Sequence, residues 1–137
     1  MPTIVDTNVL VDFFSAESPW RSWCDTQIEQ SRRLGAIVIN PIIFAELAAG
    51  FPTMELLDAA LDPTKFQRED LPWEAAFMAG KAYLGYRRSG GDRRSPLPDF
   101  YIGAHAAVRA YRLLTRDLGR YRTYFPSLEI IAPDTHP

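Results

Sequence analysis

The chain has 137 residues, 47% of them apolar and 23% charged, the balance of a globular domain long enough to bury roughly two-thirds of its unfolded surface. A single cysteine, Cys24, excludes an internal disulfide and a cysteine zinc site, and the longest uncharged stretch, residues 34–45, is too short to cross a membrane. The net charge of −2 hides an asymmetry: residues 81–122 hold one Lys and nine Arg against three Asp, which leaves the remainder strongly acidic. Such a basic region suits nucleic acid or an acidic partner, and solvated helix faces would give the same count. The N-terminal MPTIVDTN has neither a basic nor an apolar leader pattern, so a cytoplasmic location is expected.

Residues 4–6 form a short apolar run ending in an acid, which predicts a strand. A helix follows, with Thr7 or Asn8 as its N-cap and Val9, Leu10, Phe13 and Phe14 at its apolar positions. Ser18 and Pro19 signal a second helix start; Trp20, Trp23, Cys24 and Ile28 follow at helical spacing, and Gly35 stands at its C-cap. Residues 36–40 read as a buried strand, 41–49 as an almost wholly apolar helix, 53–61 as another helix, and 66–69 as a brief edge strand. Pro72 opens a long helix whose Trp73, Phe77, Gly80 and Leu84 share one face, and the tryptophans are expected in the core. A Gly-Gly loop at 89–96 leads to a helix over 99–110, then strands at 111–115 and 128–132. Short apolar strands alternating with helices predict one α/β domain over residues 1–137 (core about 3–132), a three-layer sandwich around a mainly parallel sheet.

Four acids fall where such a fold places chemistry. Asp6 and Asp117 follow strands one and four, and ligands of open α/β sheets bind outside the carboxyl ends of the strands. Asp99 opens the helix before the fourth strand, where capping would also explain it, and turn chemistry would explain Asp6 and Asp117. Glu46 is harder to dismiss: its helical neighbours Ile42, Ile43, Ala49 and Gly50 are apolar, and no Lys or Arg occurs between residues 34 and 64. A carboxylate on that face requires water, a cation or a hydrogen-bond donor. If the four converge, their repulsion calls for a cation, and an all-oxygen set favours Mg²⁺ or Mn²⁺ over zinc. Such a site suits hydrolysis of a phosphodiester, with Thr7, Asn8 and Thr115 orienting waters or carboxylates. Arg87, Arg88, Arg93 and Arg94, around the Gly-Gly loop, could track a phosphate backbone into it.

Competing chemistry is thin. Cys24 reads as a packed core thiol, His105 as a packed or hydrogen-bonded ring, and His136 belongs to the tail. No serine elbow and no glycine-rich phosphate loop occurs.

The segments IVDTNVLVDFF, FAELAAG, LPDFYIGAHAAV and LLTRDLGRY resemble, in order, the four acidic motifs of PIN-domain ribonucleases, and the size and spacing are similar to the VapC toxins of bacterial toxin–antitoxin pairs. The resemblance spans residues 3 to about 132 and implies that Asp6, Glu46, Asp99 and Asp117 are the acidic quartet holding Mg²⁺ or Mn²⁺, accompanied by Thr7, Asn8 and Thr115. It departs from the family pattern at Asn40–Pro41, where a Ser or Thr often stands, and at Tyr121, where Phe is common. The resemblance further implies a homodimer that cleaves RNA and is silenced by a VapB-like antitoxin. Two alternatives stay open: a PIN nuclease that processes RNA without an antitoxin, and an idle RNA- or antitoxin-binding module.

Overall fold

The computed structural model describes residues 1–90 and 97–137. Its centre is a sheet of five strands in the order β3-β2-β1-β4-β5, every pairing parallel. The strands are β1 (Thr3–Val5), β2 (Ile37–Ile39), β3 (Gln67–Arg68), β4 (Arg112–Leu114) and β5 (Ile130–Ile131). Among the described residues seven helices flank them: α1 (Thr7–Phe13), α2 (Arg21–Leu34), α3 (Pro41–Ala48), α4 (Met54–Ala60), α5 (Trp73–Arg88), α6 (Leu97–Arg109) and α7 (Leu118–Tyr124). This is the predicted α/β sandwich.

Short strands survive here because they are buried on both faces. Ile4, Val5, Ile37, Val38, Ile39, Leu113 and Leu114 are all essentially sealed from solvent. Full burial of each such side chain contributes roughly 1.5–3 kcal/mol. From β1 the chain winds outward through β2 to the edge strand β3, then crosses back to β4 and β5 on the other side. The direction reverses between β1 and β4, so a crevice opens at their carboxyl ends. The register Val5↔Leu114 sets Asp6 beside Thr115 at that point, with Asp6 N–H donating to the Leu114 carbonyl at 2.8 Å.

Local signals place the helices. Asn40 caps α3 by accepting from the Ile43 N–H at 3.0 Å, with Pro41 at the first helical position. Thr53 caps α4 by accepting from the Leu56 N–H at 3.2 Å. At α1 the cap position belongs to Asp6, not to Thr7 or Asn8, and the Asp6 side chain makes no capping hydrogen bond. Gly35 does end α2, for a reason other than a left-handed backbone: a Cβ there would meet the Met1 carbonyl oxygen at 2.4 Å.

The packing of α5 corrects an expectation. Trp73, Phe77 and Leu84 face outward, Trp73 being 89% exposed, while Ala75 and Ala79 form the buried side of α5. The small side chains let α5 lie close against α6, so the larger apolar face is the one left outside. The turn after Asp117, unassigned from sequence, is helix α7. Cys24 is buried and unpaired, as expected, and burial first of all pushes its thiol up to about 12. No helix among the described residues is long and apolar enough to cross a membrane.

Candidate metal centre

Four elements converge on the crevice. Asp6 leaves β1 with 2% exposure, and its Oδ2 accepts hydrogen bonds from Thr115 Oγ1 at 2.8 Å and Tyr121 OH at 2.9 Å. Glu46 projects from α3 and finds the donor that its apolar face demands in Thr7, whose hydroxyl gives a 2.7 Å hydrogen bond to Oε1. Asp99 lies in the first turn of α6, half-buried, and its charge is the largest one felt at Asp6. Asn8 ties the crevice to β4, its Nδ2 lying 3.5 Å from Thr115 Oγ1 and its Oδ1 accepting the Arg116 N–H at 3.2 Å. Asp117 stands at the rim, exposed, with its backbone N–H on Thr115 Oγ1 at 3.0 Å.

The charges of Asp99 and Glu46 both act on Asp6, and Asp117 sits exposed at the rim. Burial, and after it the charge of Asp99, pushes the Asp6 carboxyl from its ordinary 3.8 up to about 7, against the pull of the Thr115 and Tyr121 hydroxyls and with a further push from Glu46. Burial and the Asp6 charge hold the Tyr121 phenol well above its ordinary range, so it remains a donor. Among the described residues no three carboxylate, imidazole or thiol side chains close around a point as a ready cage for an ion.

The chemistry of the donors fits a hard divalent cation. Every candidate ligand is a carboxylate oxygen, and among the described residues both hydrogen bonds to the Asp6 carboxyl fall on Oδ2, none on Oδ1. Arg116 braces the crevice from outside: its guanidinium pairs with Asp12 and lies 4.4 Å from the Trp20 ring, and Ser18 Oγ donates to the same Asp12 at 2.8 Å. Arg87 and Arg88 end α5 and are exposed, while Arg93 and Arg94 lie outside the described residues.

Tyr121, which the sequence marks only as a departure from the family pattern, touches Asp6 directly. His105 is the packed, hydrogen-bonded ring that the sequence suggests, and it stands at the centre of a polar network. Its Nδ1 lies 3.0 Å from Asn40 Nδ2 and its Nε2 2.9 Å from Glu69 Oε1, and Tyr111 OH donates to Glu69 Oε2 at 2.8 Å. Because Asn40 Oδ1 accepts from the Ile43 N–H, its amide nitrogen faces His105 Nδ1 as a donor, and Nε2 is the ring atom that meets Glu69.

The PIN domain family model matches residues 3–126 of the chain. No curated protein matches the sequence. Among solved structures, VapBC2 from Rickettsia felis, bound to a DNA fragment from its promoter, is similar at 20% identity over 96% of this chain and 98% of that one, with a TM-score of 0.75. VapBC-1 from nontypeable Haemophilus influenzae is similar at 18% identity over 96% and 98%, with a TM-score of 0.71. VapC20 from Mycobacterium tuberculosis, a toxin that cleaves the sarcin–ricin loop, is similar at 13% identity over 96% and 99%, with a TM-score of 0.65.

Proposed function

This chain belongs to the PIN-domain family, and from that premise we propose that it is a Mg²⁺- or Mn²⁺-dependent endoribonuclease, the toxin of a VapBC-type toxin–antitoxin pair. The observation that carries the proposal is the buried Asp6 carboxyl at the reversal point of the sheet, with Glu46 and Asp99 in its field and Oδ1 unengaged among the described residues. Asp6, Glu46 and Asp99 would hold the ion, with Asp117 completing the set from the rim. When bound, the ion supplies an activated water and neutralises phosphate charge. The chain's own groups do the rest. Thr115 and Tyr121 fix the Asp6 carboxyl, Thr7 fixes Glu46, and Asn8 keeps β4 and α1 in register across the crevice. The exposed Arg87 and Arg88 would draw the RNA backbone toward this end of the sheet by phosphate contacts.

Two partners belong to the same proposal. A cleft of about 630 Å³ lined by Val11, Phe14, Leu47 and Phe51 opens beside Glu46, and a second of about 280 Å³ continues past Phe51 to Met54 and Leu57. An antitoxin segment lying along this trough could send a basic side chain to the carboxylates and compete with the metal. The walls are α1, α3 and the Phe51–Leu57 stretch. The exposed Trp73, Phe77 and Leu84 give α5 an apolar face for a second copy of the chain.

The test is cleavage of a labelled RNA by purified protein with Mn²⁺, with Asp99→Asn as control. Metal-dependent cutting that disappears in the variant is expected; equal cutting by both, after removal of contaminating nuclease, contradicts the proposal. The toxin assignment is tested separately, by growth arrest on expression and rescue by the product of an adjacent small gene.

A further inference from the structure

Two hydroxyl protons converge on one oxygen of Asp6. Thr115 Oγ1 is approached by the Asp117 N–H at 3.0 Å and by Asn8 Nδ2 at 3.5 Å, so its own proton is left for Asp6 Oδ2. Tyr121, 1% exposed, adds a second proton to the same oxygen. The Tyr121 ring is delivered by packing that does not depend on its hydroxyl. Helix α7 sits against α6 at Gly103, where a Cβ would come within 2.5 Å of Phe125 and 3.1 Å of Tyr121. Tyr124 and Phe125 then lock α7 into an aromatic cluster with Phe100 and Tyr86.

We propose that Tyr121 is a positioning residue for the ion: with Thr115 it anchors Oδ2, presents Asp6 through Oδ1 alone, and so favours Mg²⁺ or Mn²⁺ over Ca²⁺. This rests on the carboxylate-site proposal above. Mg²⁺ demands near-ideal octahedral geometry with few carboxylate contacts, whereas Ca²⁺ accepts six to eight oxygens and takes carboxylates through both atoms. Two-oxygen binding at Asp6 would require both hydroxyls to release Oδ2, and a pocket that resists this disfavours the larger ion. Phe at this position would keep the ring and lose the anchor.

The experiment is calorimetric titration of Mn²⁺ and of Ca²⁺ into the full-length wild type and Tyr121→Phe, beside thermal melts without metal. The Mn²⁺ dissociation constant should rise about tenfold in the variant, the low end for loss of a group that orients a metal ligand, while Ca²⁺ binding holds or tightens and the metal-free protein still melts cooperatively, lowered only by the loss of one buried hydrogen bond. Equal Mn²⁺ affinity and an equal Mn²⁺-to-Ca²⁺ preference in the two proteins overturn the proposal and leave the carboxylate site standing. A folded wild type that binds neither ion overturns both. Should Tyr121→Phe fail to fold, a crystal structure of the Mn²⁺-loaded wild type decides. An ion on Oδ1 with Oδ2 still held by Tyr121 supports the proposal, and an ion on both oxygens ends it.

Discussion

Two rows of polar groups lie along the same carboxyl edge of the same sheet, and they resolve their charge in opposite ways. At the ends of β2 and β3, Asn40, His105, Glu69 and Tyr111 form a closed set. Burial pushes Glu69 up, but the His105 and Tyr111 hydrogen bonds outweigh it, with Arg109 3.5 Å away, and its carboxyl ends below its ordinary range. At the ends of β1 and β4, Asp6 has two hydroxyl donors and no cationic partner among the described residues, and the charges that raise its carboxyl are those of Asp99 and Glu46. One row is complete as it stands and works as structure. The other gathers the Asp6, Glu46 and Asp99 carboxylates at the reversal point of an α/β sheet, where ligands of such sheets bind.

Changes at the open row should destroy function and spare the fold. Asp6→Asn or Asp99→Asn should lower Mn²⁺-dependent RNA cleavage by at least about a hundredfold, since even groups behind the ligands are worth 10–100-fold. Melting temperatures should hold or rise, because each change relieves like-charge repulsion. Loss of fold together with activity in both variants would erase the contrast between the rows.

Changes at the closed row should do the reverse. Asn40→Ala removes the cap of α3 and strips His105 Nδ1 of its donor, a loss of about 1–3 kcal/mol in urea unfolding. Mn²⁺ affinity should stay within a few-fold of wild type; a collapse of Mn²⁺ binding in a folded Asn40→Ala protein would show that the rows act as one.

Proton linkage separates them as well. Asp6 binds its proton more tightly folded, at about 7, than its ordinary 3.8. In the metal-free protein its contribution to stability is therefore full below about 4, declines as pH rises through 7, and is then flat. The Glu69 shift has the opposite sign: its stabilisation is present above the unfolded value and lost on acidification through the lower folded one. Melts of metal-free wild type against Asp6→Asn should diverge between pH 5 and 7 in favour of the variant, and Mn²⁺ at pH 7.5 should reverse the order by binding only the wild type. Parallel curves would contradict the burial of a charged Asp6.

The smallest effect is expected at the rim. Arg87→Gln with Arg88→Gln should weaken RNA binding several-fold and lower the salt slope by roughly 0.7 per lost phosphate contact on a single strand, leaving Mn²⁺ affinity unchanged. An unchanged slope in fluorescence anisotropy would remove these two arginines from the RNA path.

The sequence made the open row legible because its members sit at element ends, where residue type and position carry a message together. Asp6 after an apolar run and Glu46 on a face without cations could be read from neighbours alone. The closed row could not, because its partners are 36 to 65 residues apart and only the register of β2 on β3 together with the packing of α6 brings them together. Helix α5 failed for a different reason: periodicity finds an apolar face without saying what will cover it, and the alanine face won the contact with α6. Tyr121 escaped because α7, LGRYRTY, is too short and too charged to show an amphipathic period.

The most direct test of the central claim is a crystal structure of the wild-type protein soaked in Mn²⁺, read by anomalous difference density at the manganese edge. A peak about 2.1 Å from Asp6 Oδ1 and within reach of Glu46 and Asp99 is the predicted result. A crevice without a peak at saturating Mn²⁺, or a peak beside Glu69 instead, would contradict the account.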